Sequence, residues 1–142
     1  MVRSTSRGFT LVEILIVVVI LGILAAVAVG QFSNTTADAQ LTCTINEVQK
    51  LRRHIGIYEC RHNGQLPTVT AGNGTWGPLV GPDHFLSAPV NAWVGGANSK
   101  VIVIGSGPDT SYHTNYAWIF NDQTGEVWAA GFDADDRPFP RN

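Results

Sequence analysis

The sequence predicts an α+β fold in which one long N-terminal α-helix, hydrophobic and then amphipathic, packs on a small antiparallel β-sheet. Three observations predict it. Residues 14–30 are an unbroken apolar run. An apolar stripe at helical spacing continues from there to about residue 62. The last third then carries short β-branched and aromatic runs separated by Gly, Pro and Asn turns.

Taken in order, residues 1–8 are polar and basic, with Arg3 and Arg7 and no acidic side chain. Residues 9–32 are apolar except for Thr10, Glu13 and Gln31. The run 14–30 gives roughly 25 Å of helix at about 1.5 Å per residue. With residues 9–13 it is long enough to span a bilayer. The Lys/Arg asymmetry puts the N-terminus in the cytoplasm and the remainder outside.

Beyond Phe32 the helix need not stop. Ala37, Leu41, Ile45, Val48, Leu51, Ile55 and Tyr58 recur at steps of three or four, the mark of one buried stripe. Asp38, Gln40, Glu47, Lys50, Arg52 and Arg53 largely take the other face. Asn63-Gly64 supplies a left-handed cap and Pro67 forbids continuation, so one helix is predicted from about Phe9 to about His62. Residues 67–98 read as a Gly/Pro-punctuated loop, pinned to the helix by Trp76, Leu79, Phe85, Leu86 and Trp93. Residues 101–104 read as a strand. Residues 116–120 and 126–130 flank Asn121-Asp122-Gln123-Thr124-Gly125 as a hairpin. The tail, 132–142, reads as polar and irregular, and there are no internal repeats.

Composition bounds the function. Hydrophobic residues make up 44% of the 142 and charged residues 14%, against about 25% charged in ordinary soluble domains. The apolar excess lies before Phe32. The formal net charge is -2, which offers no basic surplus for nucleic acid. Of nine basic residues, seven remain after Arg3 and Arg7, against eleven acidic: a formal -4.

The informative segment is Arg7-Gly8-Phe9-Thr10-Leu11-Val12-Glu13. A carboxylate a few positions into a membrane helix is costly without a partner, and none is evident within the segment. These residues resemble the class III leader of type IV pilins and type II secretion pseudopilins. The resemblance implies cleavage by a prepilin peptidase between Gly8 and Phe9, and N-methylation of Phe9. It also implies an assembly role for Glu13, paired with the new terminal amine of a neighbouring subunit. That division gives a leader at 1–8, a transmembrane and filament-core helix at 9–32, and a periplasmic pilin-like domain at 33–142. The resemblance covers the first half of the chain most strongly. Residues 52–68, with Tyr58 and the Asn63-Gly64-Gln65-Leu66-Pro67 exit, are similar to the helix end of major pseudopilins. Pro89-Val90-Asn91-Ala92-Trp93 is similar to their Pro-x-Asp-Pro-Trp element, with Asn91 and Ala92 as departures. Gly30 stands where relatives usually carry proline. Two plainer readings compete: a signal peptide cut at Ala26-Val27-Ala28, and an anchor that does not polymerise. Neither accounts for Gly8 and Glu13 together.

Other features carry less. Cys43 and Cys60 lie 17 positions apart, roughly 25 Å along a helix, beyond the approximately 7 Å limit between Cα atoms for a disulfide. Buried free thiols are expected, with an intersubunit bond as the alternative. Asp133 and Asp135, with Asp136, are spaced as hard-cation ligands are. Major pseudopilins carry calcium in their C-terminal region, which makes these the calcium candidates, against a solvated acidic turn as the favoured reading. His54, His62, His84 and His113 match no metal spacing. Ser106 and Ser111 lack a nucleophile context. Trp76, Trp93, Trp118 and Trp128 are expected in the core. No active site is read, and no enzyme is expected.

What the resemblance implies as a whole is a structural subunit of a filament assembled at the inner membrane, of the major pseudopilin kind. Its partners would be further copies, other pilins or pseudopilins, the prepilin peptidase and an inner-membrane assembly platform. A type IV pilin for adhesion, motility or DNA uptake is the alternative; it is disfavoured because no cysteine follows Cys60. A membrane-tethered periplasmic binding domain is the second alternative.

Overall fold

A computed structural model describes residues 8–141, with residues 29–34 described in backbone only. Helix α1 runs Leu11–Arg61, within two residues of the predicted span. The chain divides into two compact units, Met1–Ala37 and Asp38–Asn142.

In the first unit every described side chain from Phe9 to Ala28 is exposed. Leu11–Ala28 has a mean hydropathy of 3.1. It is the one stretch among the described residues long and apolar enough to cross a membrane. An all-round apolar helix without protein packed on it requires another apolar medium.

In the second unit α1 becomes one-sided. Thr44, Val48, Leu51 and Ile55, at steps of four, three and four, are buried, so the predicted stripe is the core face, with a threonine added to it. The helix stops where the left-handed pair sits: Asn63 has φ 55° and Gly64 φ 79°. The Gly64 N–H donates back to the Glu59 carbonyl at 2.9 Å.

Four short strands follow: β1 Gly72–Asn73, β2 Val101–Ile104, β3 Trp118–Phe120 and β4 Val127–Ala129. They form one sheet in the order β1-β2-β3-β4. The expected hairpin is present as antiparallel β3–β4, with Ile119 opposite Trp128. The sheet is mixed, however, and not antiparallel throughout: β2 and β3 run parallel, with Ile102 opposite Trp118. The thirteen residues between Ile104 and Trp118 are enough to carry the chain back to the starting end of β2, as a parallel pairing requires. The Ala117 N–H then closes on the Val101 carbonyl at 2.8 Å. Strand β1 falls in the stretch expected to be loop.

Trp76, Trp118, Phe120, Phe132, Leu79 and Ile102 fill the core. The Trp76 ring meets Trp118 and Phe120 edge-on, at 6.4 and 6.1 Å between centroids. Three of the four tryptophans are buried as expected; Trp128 is half-buried. Leu86 departs from expectation, being 91% exposed, so of the pair Phe85-Leu86 only the phenylalanine lies against the helix, over His54. Gly77 is fixed by sterics: its φ is +56° and a Cβ there would lie 2.1 Å from the Thr68 carbonyl oxygen.

The tail is also more ordered than its composition implied. Phe132 is buried and bridges to Pro138, while the Phe139 N–H donates to the Gly131 carbonyl at 2.9 Å. Arg52 of α1 reaches across to this turn. Its Nη2 donates to the Val127 carbonyl at 3.1 Å and to Asp136 Oδ1 at 2.8 Å. A polar knot holds the opposite end. The Asn91 Oδ1 accepts the N–H groups of Trp93 and Val94 at 2.9 and 3.0 Å, and its Nδ2 donates to the carbonyls of Ala117 and Ala130 at 2.8 and 3.1 Å.

Candidate functional site

The first turn of α1 is built by its own side chains. Thr10 precedes the helix, and its Oγ1 accepts the Glu13 N–H at 3.2 Å. In return Glu13 Oε2 accepts the Thr10 N–H and the Thr10 hydroxyl, both at 2.9 Å. This reciprocal exchange is the Thr-x-x-Glu capping box, which satisfies N–H groups that a helix start otherwise leaves unpaired. The carboxylate also lies at the positive end of the helix dipole. The expectation that the segment holds no partner for Glu13 is therefore corrected. Its bonds come from Thr10, three residues earlier, although a neutral threonine leaves the negative charge itself unbalanced. The Thr-x-x-Glu spacing is the sequence signal of this cap.

Gly8 and Phe9 lie just ahead of this turn, and Phe9 is 83% exposed. A Cβ placed on Gly8 would meet nothing within 4 Å, so packing against the described residues does not require glycine there. Arg3, Arg7 and the rest of the leader before Gly8 lie outside the described residues.

Cys43 and Cys60 are both free and both exposed. Burial is thus corrected: Cys43 sits one residue off the core position Thr44, a turn of about 100° on a helix, and Cys60 is likewise off the stripe. Asp133, Asp135 and Asp136 turn to different partners. Asp133 Oδ1 accepts the N–H groups of Asp135 and Arg137, both at 2.9 Å. Asp135 pairs with Arg137 at 3.2 Å, and Asp136 with Arg52. Among the described residues no group of three or more His, Cys, Asp or Glu converges as a metal site.

His54 and His84 come together across 30 positions, Nδ1 to Nδ1 at 3.3 Å. Partial burial, and then nearby His84 and Arg53, hold His54 below the ordinary imidazole pKa. Spacing in the chain could not have announced this pair. His62 stacks on Tyr58 at the helix end. Asp109 is a further centre that the sequence did not disclose: its Oδ1 accepts the Tyr116 hydroxyl at 2.7 Å and its Oδ2 the Gly131 N–H at 2.9 Å. Partial burial, then this bond and the carboxylate's charge, push the Tyr116 hydroxyl up to about 12.

Comparison with known proteins centres on the N-terminal segment. Residues 3–29 match the model of the prokaryotic N-terminal methylation motif. A probable minor fimbrial protein of Dichelobacter nodosus is 40% identical over 68 residues, which are 48% of this chain and 40% of that protein. A fimbrial protein of Pseudomonas aeruginosa is 50% identical over 49 residues, 34% of this chain and 32% of that one. The type II secretion system core protein G of Pseudomonas aeruginosa is 39% identical over 59 residues, 42% of each chain. The chain thus spans less than half the length of these relatives. No solved structure matches it.

Proposed function

We propose, from the premise that the chain belongs through its N-terminal segment to the type IV pilin and pseudopilin family, that it is a structural subunit of a membrane-assembled filament. The observation that carries this reading is the helix start: an exposed, uniformly apolar helix that opens on a single carboxylate, Glu13. Cutting between Gly8 and Phe9 frees an α-amine, with a reference pKa of about 7.7–8.0, four residues from that carboxylate. Methylation leaves the amine positive. Opposite charges from adjacent copies then neutralise each other where water is absent, and a repeated head-to-tail contact that does not close builds a helical polymer. That packing against the described residues forces no glycine at position 8 is consistent with a demand made by a peptidase.

In this reading residues 1–8 remain cytoplasmic until cleavage, residues 9–32 sit in the inner membrane, and residues 33–142 lie in the periplasm. The partners are further copies, other pilins or pseudopilins, the peptidase and an assembly platform. Of the two systems, we favour the secretion pseudopilin, because no cysteine follows Cys60 to close a C-terminal disulfide loop. The pilus reading has its own support in the fimbrial relatives. Those similarities cover the N-terminal part of the chain, which both systems share.

Intact-mass and N-terminal fragment analysis of the native protein tests the proposal. A chain beginning with methylated Phe9 is expected. One that retains Met1 or begins beyond Ala28 overturns it. Glu13→Ala is expected to abolish filament assembly while leaving the membrane-inserted subunit folded.

A further inference from the structure

We propose that His54 and His84 form a binding site for a late divalent transition metal, with Zn²⁺ held tetrahedrally between their Nδ1 atoms and water completing its shell. His54 stands on α1; His84 is delivered by the loop after Leu79. Their Nδ1 atoms are 3.3 Å apart, the ring centroids 5.5 Å apart and the planes inclined by 78°. Two Zn–N bonds of about 2.0–2.1 Å at a tetrahedral angle place their nitrogens about 3.3–3.4 Å apart. The pair therefore has the bite of a zinc site before any ion enters. A hydrogen bond between the two rings would be long at this distance, since N–H donors commonly sit about 2.7–3.2 Å from their acceptors. With the proton on Nε2 of both rings, the two Nδ1 lone pairs face each other across this gap, and a positive centre between them is then required. Imidazole suits zinc, copper and nickel, whereas calcium and magnesium prefer oxygen.

The surroundings fit an open site. Phe85 packs on the His54 ring at 4.4 Å between centroids and Tyr58 lies 6.1 Å from His84, which gives the pair an apolar back. Both histidines are half-buried, so ions and water reach them. Among the described residues no third His, Cys, Asp or Glu completes a cluster, which leaves two coordination positions to water. A bound ion would add a clip between the helix and the loop that carries the exposed Leu86.

The test uses the full chain in detergent, free of any histidine tag and with Cys43 and Cys60 changed to Ser so that neither thiol competes. Titration with Co²⁺ is expected to give the intense visible absorption of a tetrahedral ion at one equivalent. Zn²⁺ should bleach it, and the thermal midpoint should rise with free Zn²⁺ as ligand linkage requires. His54→Ala or His84→Ala should weaken binding at least about tenfold, and His62→Ala should not. If His54→Ala loosens the helix face by circular dichroism, His84→Gln at the half-exposed loop position serves as the second variant. Absence of both the cobalt spectrum and the zinc-dependent midpoint shift, or zinc binding that survives loss of both histidines, overturns the proposal.

Discussion

Thr44 and Asn91, 47 positions apart, meet with the threonine Oγ1 3.3 Å from the Asn91 Oδ1, and both side chains are wholly buried. The threonine hydroxyl also accepts the Trp93 N–H at 3.0 Å. Helix, loop and the flanks of β3 and β4 are thereby tied at one amide. Asn91→Ala strands the Val94 N–H and the Ala130 carbonyl, and each buried unpaired group costs about 1–3 kcal/mol. A loss of at least about 2 kcal/mol is expected in urea unfolding. Asn91→Asp keeps the acceptor but turns a carboxylate towards two carbonyls, so it should not restore stability. Thr44→Val should cost about 1 kcal/mol.

Arg141 lies over the Trp93 ring, its Cζ 3.7 Å from the centroid. Its Nη2 donates to the Trp93 carbonyl at 2.7 Å and its Nη1 to Gln40 Oε1 at 2.8 Å. The guanidinium thus joins the tail to the knot around Asn91. Arg141→Ala should cost about 1–2 kcal/mol, as a cation–π contact and a charged hydrogen bond are lost together. Arg141→Lys should recover less than half, because an ammonium cannot stack and fork at once. Urea midpoints of the three proteins measure this.

Tyr116 gives a pH dependence with a defined sign. In the unfolded chain the phenol ionises near 10, and in the folded chain at about 12. Its neutral form is favoured by folding, so this contribution is complete below about pH 10 and fades as pH rises through 12. Other groups titrate in the same range, so the informative quantity is the difference between wild type and Tyr116→Phe. The excess stability of the wild type should shrink from pH 9 to pH 11.5. No shrinkage would mean that neither burial nor the Asp109 carboxylate raises the hydroxyl's pKa in the folded chain.

Local signals were legible and long-range ones were not. The helix end at Asn63-Gly64 and the β3–β4 hairpin are each decided by residues within a few positions. The direction of β3 against β2 depends on how thirteen intervening residues return, which local pattern leaves open. Asn91 reads in the sequence only as a departure from a motif, because the threonine and the two carbonyls that make it a buried hub stand 47, 26 and 39 positions away. His54 and His84 looked ordinary for the same reason. Thr10-x-x-Glu13 differs: its signal is complete in four residues.

That double duty of Glu13, cap and charge, can be separated. A glutamine at the third helical position still closes a capping box, so Glu13→Gln should keep the helix start and remove the charge. Thr10→Val does the reverse: it abolishes the hydroxyl that both gives to and receives from Glu13 and leaves the carboxylate in place. If the assembly role lies in the charge, Glu13→Gln should block filament formation in cells and Thr10→Val should permit it. Helicity of the detergent-solubilised subunit should move the other way, unchanged in Glu13→Gln and slightly lower in Thr10→Val. Filaments built from Glu13→Gln subunits at wild-type abundance would mean that the carboxylate serves only to start the helix. The pairing with a neighbour's amine would then have to be abandoned.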